Sequence, residues 1–362
     1  MKAGILVLNF GEPEEPTLEY VVPFLERIFY TNASLEDQPT ERARRERSRE
    51  LAERRAPGLI AEYEEIGGSP LNEQAHAQAR ALAAELEGRG HEVEVYSAFQ
   101  YTEPLIAQMV EQAQDDGIEH LIGLPAYPLC GHSTNVASLN DIQTAIRALK
   151  WHQVRFEGIT GWHRHPGYLE LRADALRAVV REHGLDLNDP SCRLVFSAHG
   201  TPVKYLRDGS GYGRYVEEFC REVAEMVGVR TYELGFQNHS NRGVEWTQPD
   251  VEEVIRTVEA QTVVVDPVSF MHEQSETLAE LDHELREEAE GRGLTFHRVP
   301  VPHADPRFAV VLADLMEPFL TGKDSPIGLR YGACRCRPAE GTVCLNSRPR
   351  EEAAPRPAAV AS

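Results

Sequence analysis

The sequence predicts an α/β protein made of two similar parallel-sheet halves, and three observations carry that expectation. Short apolar runs alternate with longer stretches of helical period along nearly the whole chain, the pattern of parallel strands with covering helices. Several of those runs end in small polar turns that feed a helix, where open α/β sheets place their ligands. One set of strand–turn pieces is echoed later. Leu-Asn-Phe-Gly-Glu-Pro at 8–13 resembles Phe-Ser-Ala-His-Gly-Thr-Pro at 196–202, and Leu-Pro-Ala-Tyr at 124–127 resembles Asp-Pro-Val-Ser at 266–269. The two echoes have different offsets, and the difference is close to the length of segment 21–66. That segment therefore reads as a lid inserted in the first half.

Strands are expected at 4–9, 92–97, 120–124, 154–160, 193–197, 231–236, 262–265 and 295–299. Helices are expected at 75–89, 103–115, 137–148, 168–183, 212–227, 250–259, 276–292 and 307–320. The halves are then 1–150, with its lid, and 151–320. The remainder, 321–362, is rich in Pro, Arg, Gly and Ala and reads as a cysteine-bearing loop followed by disorder.

Composition narrows the function. A formal charge of −21 over 362 residues argues against nucleic acid as a partner. No apolar run reaches the length of a membrane span, and the apolar start reads as a first strand, so a cytoplasmic location is expected. Six cysteines in such a chain do not suggest a disulfide frame.

Four features carry chemistry. His199 follows an apolar strand on a Ser-Ala-His-Gly turn, and a histidine there suits acid–base work. On a helix of about 100° per residue, Glu273, Glu276, Glu280 and Glu284 fall within an arc of roughly 80°. The first members suit a divalent cation in transit, and Glu284 onward reads as a solvated face. Gly-Gly-Ser-Pro at 67–70 opens a helix and can cradle an anion, although it is also an ordinary turn. Before it, Arg42 to Arg55 interleave with glutamates, either as a salt-bridged exposed helix or as a lid whose arginines grip carboxylates. Trp246, in the polar loop that also holds His239, can stack on a flat ligand or anchor a core. Cys334, Cys336 and Cys344 are spaced as thiolate ligands, with Cys130 or His132 to complete the set.

Together these pieces resemble the ferrochelatase family, whose members insert ferrous iron into a porphyrin. The resemblance runs from about residue 4 to 320. It rests on Leu-Asn-Phe-Gly-Glu-Pro at 8–13, Phe-Leu-Glu-Arg at 24–27, Gly-Gly-Ser-Pro-Leu at 67–71, Phe-Ser-Ala-His at 196–199 and Ser-Glu-Thr-Leu-Ala-Glu-Leu-Asp at 275–282. It implies two Rossmann-like halves with a cleft between them, and His199 and Glu276 as catalytic residues facing each other across that cleft. It implies substrate contacts from Phe10, Arg54, Arg55, Ser69, Tyr127, Trp246 and Phe270. His199, Glu273, Glu276 and Glu280 are expected to handle the metal. Cys130, Cys334, Cys336 and Cys344 are expected to hold a two-iron two-sulfur cluster, as in some members. The long lid resembles that of members using protoporphyrin IX, and it suggests peripheral membrane contact. Coproporphyrin III as substrate, a cobalt or sirohydrochlorin chelatase, and a non-enzymatic haem or metal carrier are the alternatives. The chain departs from the family pattern at Gln274, Gln100, the Gly-Ser-Gly-Tyr at 209–212 and the loop holding His239.

Overall fold

The computed structural model describes residues 1–36, 38, 40–239 and 243–346. The first half opens with β1 (Ala3–Asn9), fully buried along its length, and continues into α1 (Leu18–Thr31) and α2 (Glu41–Glu65), the two lid helices. It then runs α3 (Leu71–Gly88), β2 (Val93–Phe99), α4 (Ile106–Asp115), β3 (His120–Pro125), α5 (Ala137–Ala148) and β4 (Arg155–Ile159). The second half follows as α6 (Pro166–Glu182), β5 (Cys192–His199), α7 (Val203–Arg207), α8 (Tyr212–Val227), β6 (Tyr232–Gln237), α9 (Val251–Thr257) and β7 (Thr262–Pro267). It ends with α10 (Ser275–Leu278), α11 (Arg286–Gly291), β8 (Thr295–Arg298) and α12 (Arg307–Thr321), before the tail strands β9 (Gly332–Ala333) and β10 (Thr342–Cys344).

The two sheets share one strand permutation. The first is ordered β2-β1-β3-β4 and the second β6-β5-β7-β8, all parallel. The internal echo in the sequence is thus a repeated topology. In each sheet the first strand lies between the second and third, so the chain reverses its winding there and the carboxyl ends of the strands open a crevice. Phe10 and Tyr127 follow β1 and β3; His199 ends β5, and Phe270 follows β7.

Three features depart from the sequence expectation. β4 lies beyond residue 150 but pairs with β3, so the first half extends through it. The tail continues the first sheet: β10 runs parallel to β4, and β9 lies antiparallel at the edge. Buried Arg337 fastens it, donating to Asn140 and Gln143 at 2.7 and 2.8 Å. The rest of the tail, 347–362, lies outside the described residues. Finally, the long helix expected at 276–292 is interrupted, because Glu280–Leu285 forms a π-turn between α10 and α11. The extra residue per turn changes the angular spacing on which a carboxylate ladder depends.

The main core lies between the sheets and includes Ile5, Val7, Trp162, Leu194, Phe196 and Met316. The lid has its own core, in which Val21, Phe24, Leu25 and Phe29 of α1 meet Leu51, Ala56, Leu59 and Tyr63 of α2.

Candidate active site between the two halves

A cavity of about 240 Å³ lies where the strand ends of both halves meet the lid. One wall is apolar and comes from the lid and first half: Phe10, Phe24, Ile28, Phe29, Leu59 and Leu129. The other wall carries His199, His239, Trp246, Phe270, Glu276 and Glu280 from the second half.

His199 is placed by β5. Its backbone N–H donates to Ser269 Oγ at 3.0 Å, and its Nδ1–H donates to the carbonyl of Gly200 at 2.5 Å. That second bond leaves Nε2 pointing into the cavity. Gly200 is required at this turn: its N–H bonds Gln237 O at 2.7 Å, and a Cβ would meet that same carbonyl oxygen. Nε2 of His199 lies 3.1 Å from Glu276 Oε1 and 3.1 Å from His239 Nε2, and His239 Nε2 lies 3.6 Å from Glu276 Oε1.

The expectation that His199 and Glu276 face each other across a cleft is therefore corrected. Both line one pocket, but they stand on the same wall in direct contact. β5 and β7 are neighbours in the second sheet, so the turns at their ends sit side by side.

Electrostatics follow from that contact. Burial opposes charging His199, but the Glu276 carboxylate overrides it and lifts the imidazole to about 9. Burial likewise opposes ionising Glu276, yet His199 and His239 hold it well below the ordinary carboxylate range. Glu280 is raised to about 7, first by burial and further by the charge on Glu276, despite His239 and a bond from Gln237 Nε2 at 2.9 Å. Gln274 Nε2 donates to Glu276 Oε2 and takes part in fixing the carboxylate.

The other expected residues divide. Phe10, Tyr127, Trp246 and Phe270 line the cavity, and the Tyr127 hydroxyl accepts from the Phe10 N–H at 2.8 Å. Arg55 also lines it, but its guanidinium is already paired with Glu62 at 2.8 Å. Arg54 borders an adjoining cavity, together with Asp250, Glu252 and Glu284, that shares Arg55, Glu62, His239 and Glu280 with the first. Glu273 is turned away. It precedes the helix, pairs with Arg298 at 3.1 Å and accepts from Thr277 Oγ1 at 2.7 Å, so the four-carboxylate ladder does not form. Ser69 does not line the cavity and instead donates to Glu12.

Glu12 is the residue that sequence reasoning passed over. Its buried carboxylate lines the cavity and accepts from Tyr63 of the lid at 2.9 Å, from Ser69, and from the Ser275 N–H at 3.3 Å and hydroxyl. Burial holds it up at about 7 despite these donors. A carboxylate three residues past a strand ordinarily reads as solvated, and nothing in its spacing announces partners so distant in sequence.

The four expected cysteines come together. Cys336 interacts with Cys130 and Cys334, and Cys334 also with Cys344. The sulfurs take further donors: Thr160 Oγ1 reaches Cys334 at 2.9 Å, the Arg337 N–H reaches Cys334 at 3.3 Å, and the Gly211 N–H reaches Cys336 at 3.5 Å.

Comparison with known proteins agrees with this arrangement. The ferrochelatase family model matches residues 2–319. The chain belongs to the ferrochelatase family. Its relatives include the ferrochelatase of Nostoc punctiforme, 32% identical over 87% of this chain and 81% of that one. The ferrochelatase of a Synechococcus species is 36% identical over 88% of this chain and 94% of its own. Among solved structures, the SirB protein of Bacillus subtilis with Fe3+ has a TM-score of 0.55 at 13% identity, covering 89% of this chain and 97% of that one, a likeness of fold alone. As a ferrochelatase-family protein the chain is an enzyme of the lyase class, acting in metal insertion into porphyrin.

Proposed function

We propose that this ferrochelatase inserts ferrous iron into protoporphyrin IX in the cytoplasm, as a step of haem synthesis. The observation that carries the choice of porphyrin is the cavity wall. It is lined by lid and first-half apolar side chains, and among the described lining residues Arg55 is the one arginine or lysine, already neutralised by Glu62. Protoporphyrin IX presents vinyl groups and only two propionates. Coproporphyrin III presents four, and the Glu276 carboxylate, with Glu280 beside it, would oppose them. An anaerobic assay with ferrous iron and each porphyrin tests this. A higher kcat/KM for protoporphyrin IX is expected, and a clear preference for coproporphyrin III or sirohydrochlorin sinks the reading.

The chemistry follows from the wall that bears His199. Metal insertion requires loss of two pyrrole protons from a ring bent to expose its lone pairs. Packing between the apolar lid wall and Phe270 supplies binding energy for that distortion. His199 begins as an imidazolium paired with Glu276. Arrival of a divalent cation at the carboxylate displaces that proton to solvent, and the neutral imidazole then accepts a pyrrole proton. Glu276, and Glu280 beside it, receive the iron and help carry protons away.

The four thiols suit a two-iron two-sulfur cluster: the donor set is all sulfur, and N–H and O–H groups point at it. Cys130, Cys334, Cys336 and Cys344 would hold it. When bound it supplies one-electron redox chemistry; the residues around it join the first-half loop at Cys130 to the tail. Protein isolated without oxygen is expected to be brown, with a visible band lost in Cys334→Ser; a colourless wild type refutes the assignment. A cytoplasmic setting fits six cysteines that form no disulfide among the described residues. Among the described residues no helix is long and apolar enough to cross a membrane. We assign a peripheral membrane contact to α1, whose Leu18, Tyr20 and Tyr30 are exposed; sedimentation with anionic vesicles, lost in Leu18→Asp, tests it.

A further inference from the structure

We propose that His239 is a third metal ligand, so that His199, His239 and Glu276 form a two-histidine, one-carboxylate landing site for divalent iron before its transfer to the porphyrin. The proposal rests on the reading of this chain as a metal-inserting enzyme and adds a residue to it.

The argument is geometric. Two imidazole Nε2 atoms and a carboxylate oxygen stand at the corners of a triangle with edges of 3.1, 3.1 and 3.6 Å. First-row metals bind such atoms at about 2.0–2.2 Å. Neighbouring ligands on one face of an octahedron then lie roughly 3 Å apart, and those of a tetrahedron somewhat farther. The triangle has the size of one coordination face, and among the described residues it is the one cluster of histidine, cysteine and carboxylate donors drawn this tight. Without a metal, the two Nε2 atoms at 3.1 Å can share at most the proton between them.

The surroundings support ligation. His239 follows β6, and the residue before it is anchored: Asn238 Nδ2 donates to Thr247 O at 2.9 Å and to Asp250 Oδ2 at 3.1 Å. The His239 ring meets Trp246 edge-on, with centroids 5.6 Å apart, which fixes its plane. His199 is oriented through its Nδ1 bond to a backbone carbonyl, the usual outer partner of a metal-bound histidine. Glu280 is held by Gln237 and lines the same cavity as a further oxygen.

The arrangement has two consequences. Two imidazoles beside one carboxylate favour ferrous and similar transition ions over magnesium and calcium, and a face of three protein ligands leaves the opposite positions open. The porphyrin nitrogens can take those positions. With His239 and Glu276 still holding the ion, His199 is free to leave it and act as the base.

The test uses the full chain without porphyrin and cobaltous ion as the spectroscopic probe. Wild type should bind one cobalt through two imidazoles, seen as two paramagnetically shifted exchangeable ring N–H signals, and millimolar magnesium should not displace it. His239→Ala should lose one signal and weaken cobalt binding by about 10- to 100-fold, while circular dichroism shows that the variant is folded. His239→Gln, which keeps the side chain's bulk, should behave likewise and covers misfolding of the alanine variant. A single imidazole signal in wild type, or unchanged cobalt affinity in both folded variants, overturns the proposal and leaves the enzyme reading intact. Two imidazole signals without insertion into any porphyrin would instead overturn the enzyme reading while the site stands.

Discussion

The turns after β1 and β5 occupy the same place in two sheets of identical strand order, yet they do opposite things. The first carries Glu12, whose carboxylate accepts from the lid, from the Ser69 turn and from the start of α10. The second carries His199, whose Nε2 points into the cavity toward Glu276 and His239. One copy of the scaffold has become a fastening and the other a reaction centre. A duplicated fold keeps the positions where side chains converge, while the residues placed there decide whether the convergence locks or reacts.

Removing the reactive member should have the largest effect. His199→Ala is expected to lower iron insertion on the order of 10²- to 10⁴-fold while porphyrin binding, followed by fluorescence, persists. Full residual turnover would remove His199 from the chemistry. Removing the fastening should act on stability instead. Glu12→Ala leaves Tyr63, Ser69 and Ser275 without their acceptor and is expected to cost roughly 2–4 kcal/mol, read from urea unfolding, with faster trypsin cleavage in the arginine-rich α2. Unchanged unfolding and cleavage would mean that the junction bears no strain.

The pH dependence sharpens the contrast. The Glu12 carboxyl sits at about 7 when folded against an ordinary 4.5. Between those values the folded protein keeps a proton that the unfolded chain has released. Its contribution is complete below about 4.5 and is lost as pH rises through about 7. Glu12→Gln should flatten that part of the stability curve; an unaltered slope would assign it to another group. The smallest effect belongs to the rim. Glu62→Gln frees Arg55 from a half-buried pair and should lower the KM for a propionate-bearing porphyrin by roughly 2- to 5-fold, with kcat unchanged. A raised KM would show that Arg55 needs Glu62 to hold its position.

Most of the fold was legible because alternating strands and helices leave a local signal. All eight strands of the parallel repeat appear within a few residues of their expected places, since apolar runs such as Val263 to Val265 can only be buried on both faces. The π-turn left no trace, because it breaks the i, i+4 spacing without changing composition; Glu273 was misread for another reason, since the helix begins only at Ser275 and leaves it outside. Nor could the sequence place Glu276 beside His199 rather than opposite it. That depends on β5 neighbouring β7, a pairing across the sheet. His239 was equally hidden, since it follows the edge strand β6 while its partners follow β5 and β7, one and two strands away. Four cysteines were easier to group: thiols in a Cys-x-Cys pattern signal their use, even though their meeting depends on β10.

That last strand has a consequence for synthesis. β10 lies along β4, nearly two hundred positions earlier, so the opening sheet is completed by residues that leave the ribosome long after the rest of it. Until they arrive, the outer rim of β4 is a row of bare amides and carbonyls, the kind of surface on which nascent chains stick to one another. A chain cut before residue 332 would keep that rim permanently, and its first symptom should be aggregation rather than a slower catalyst.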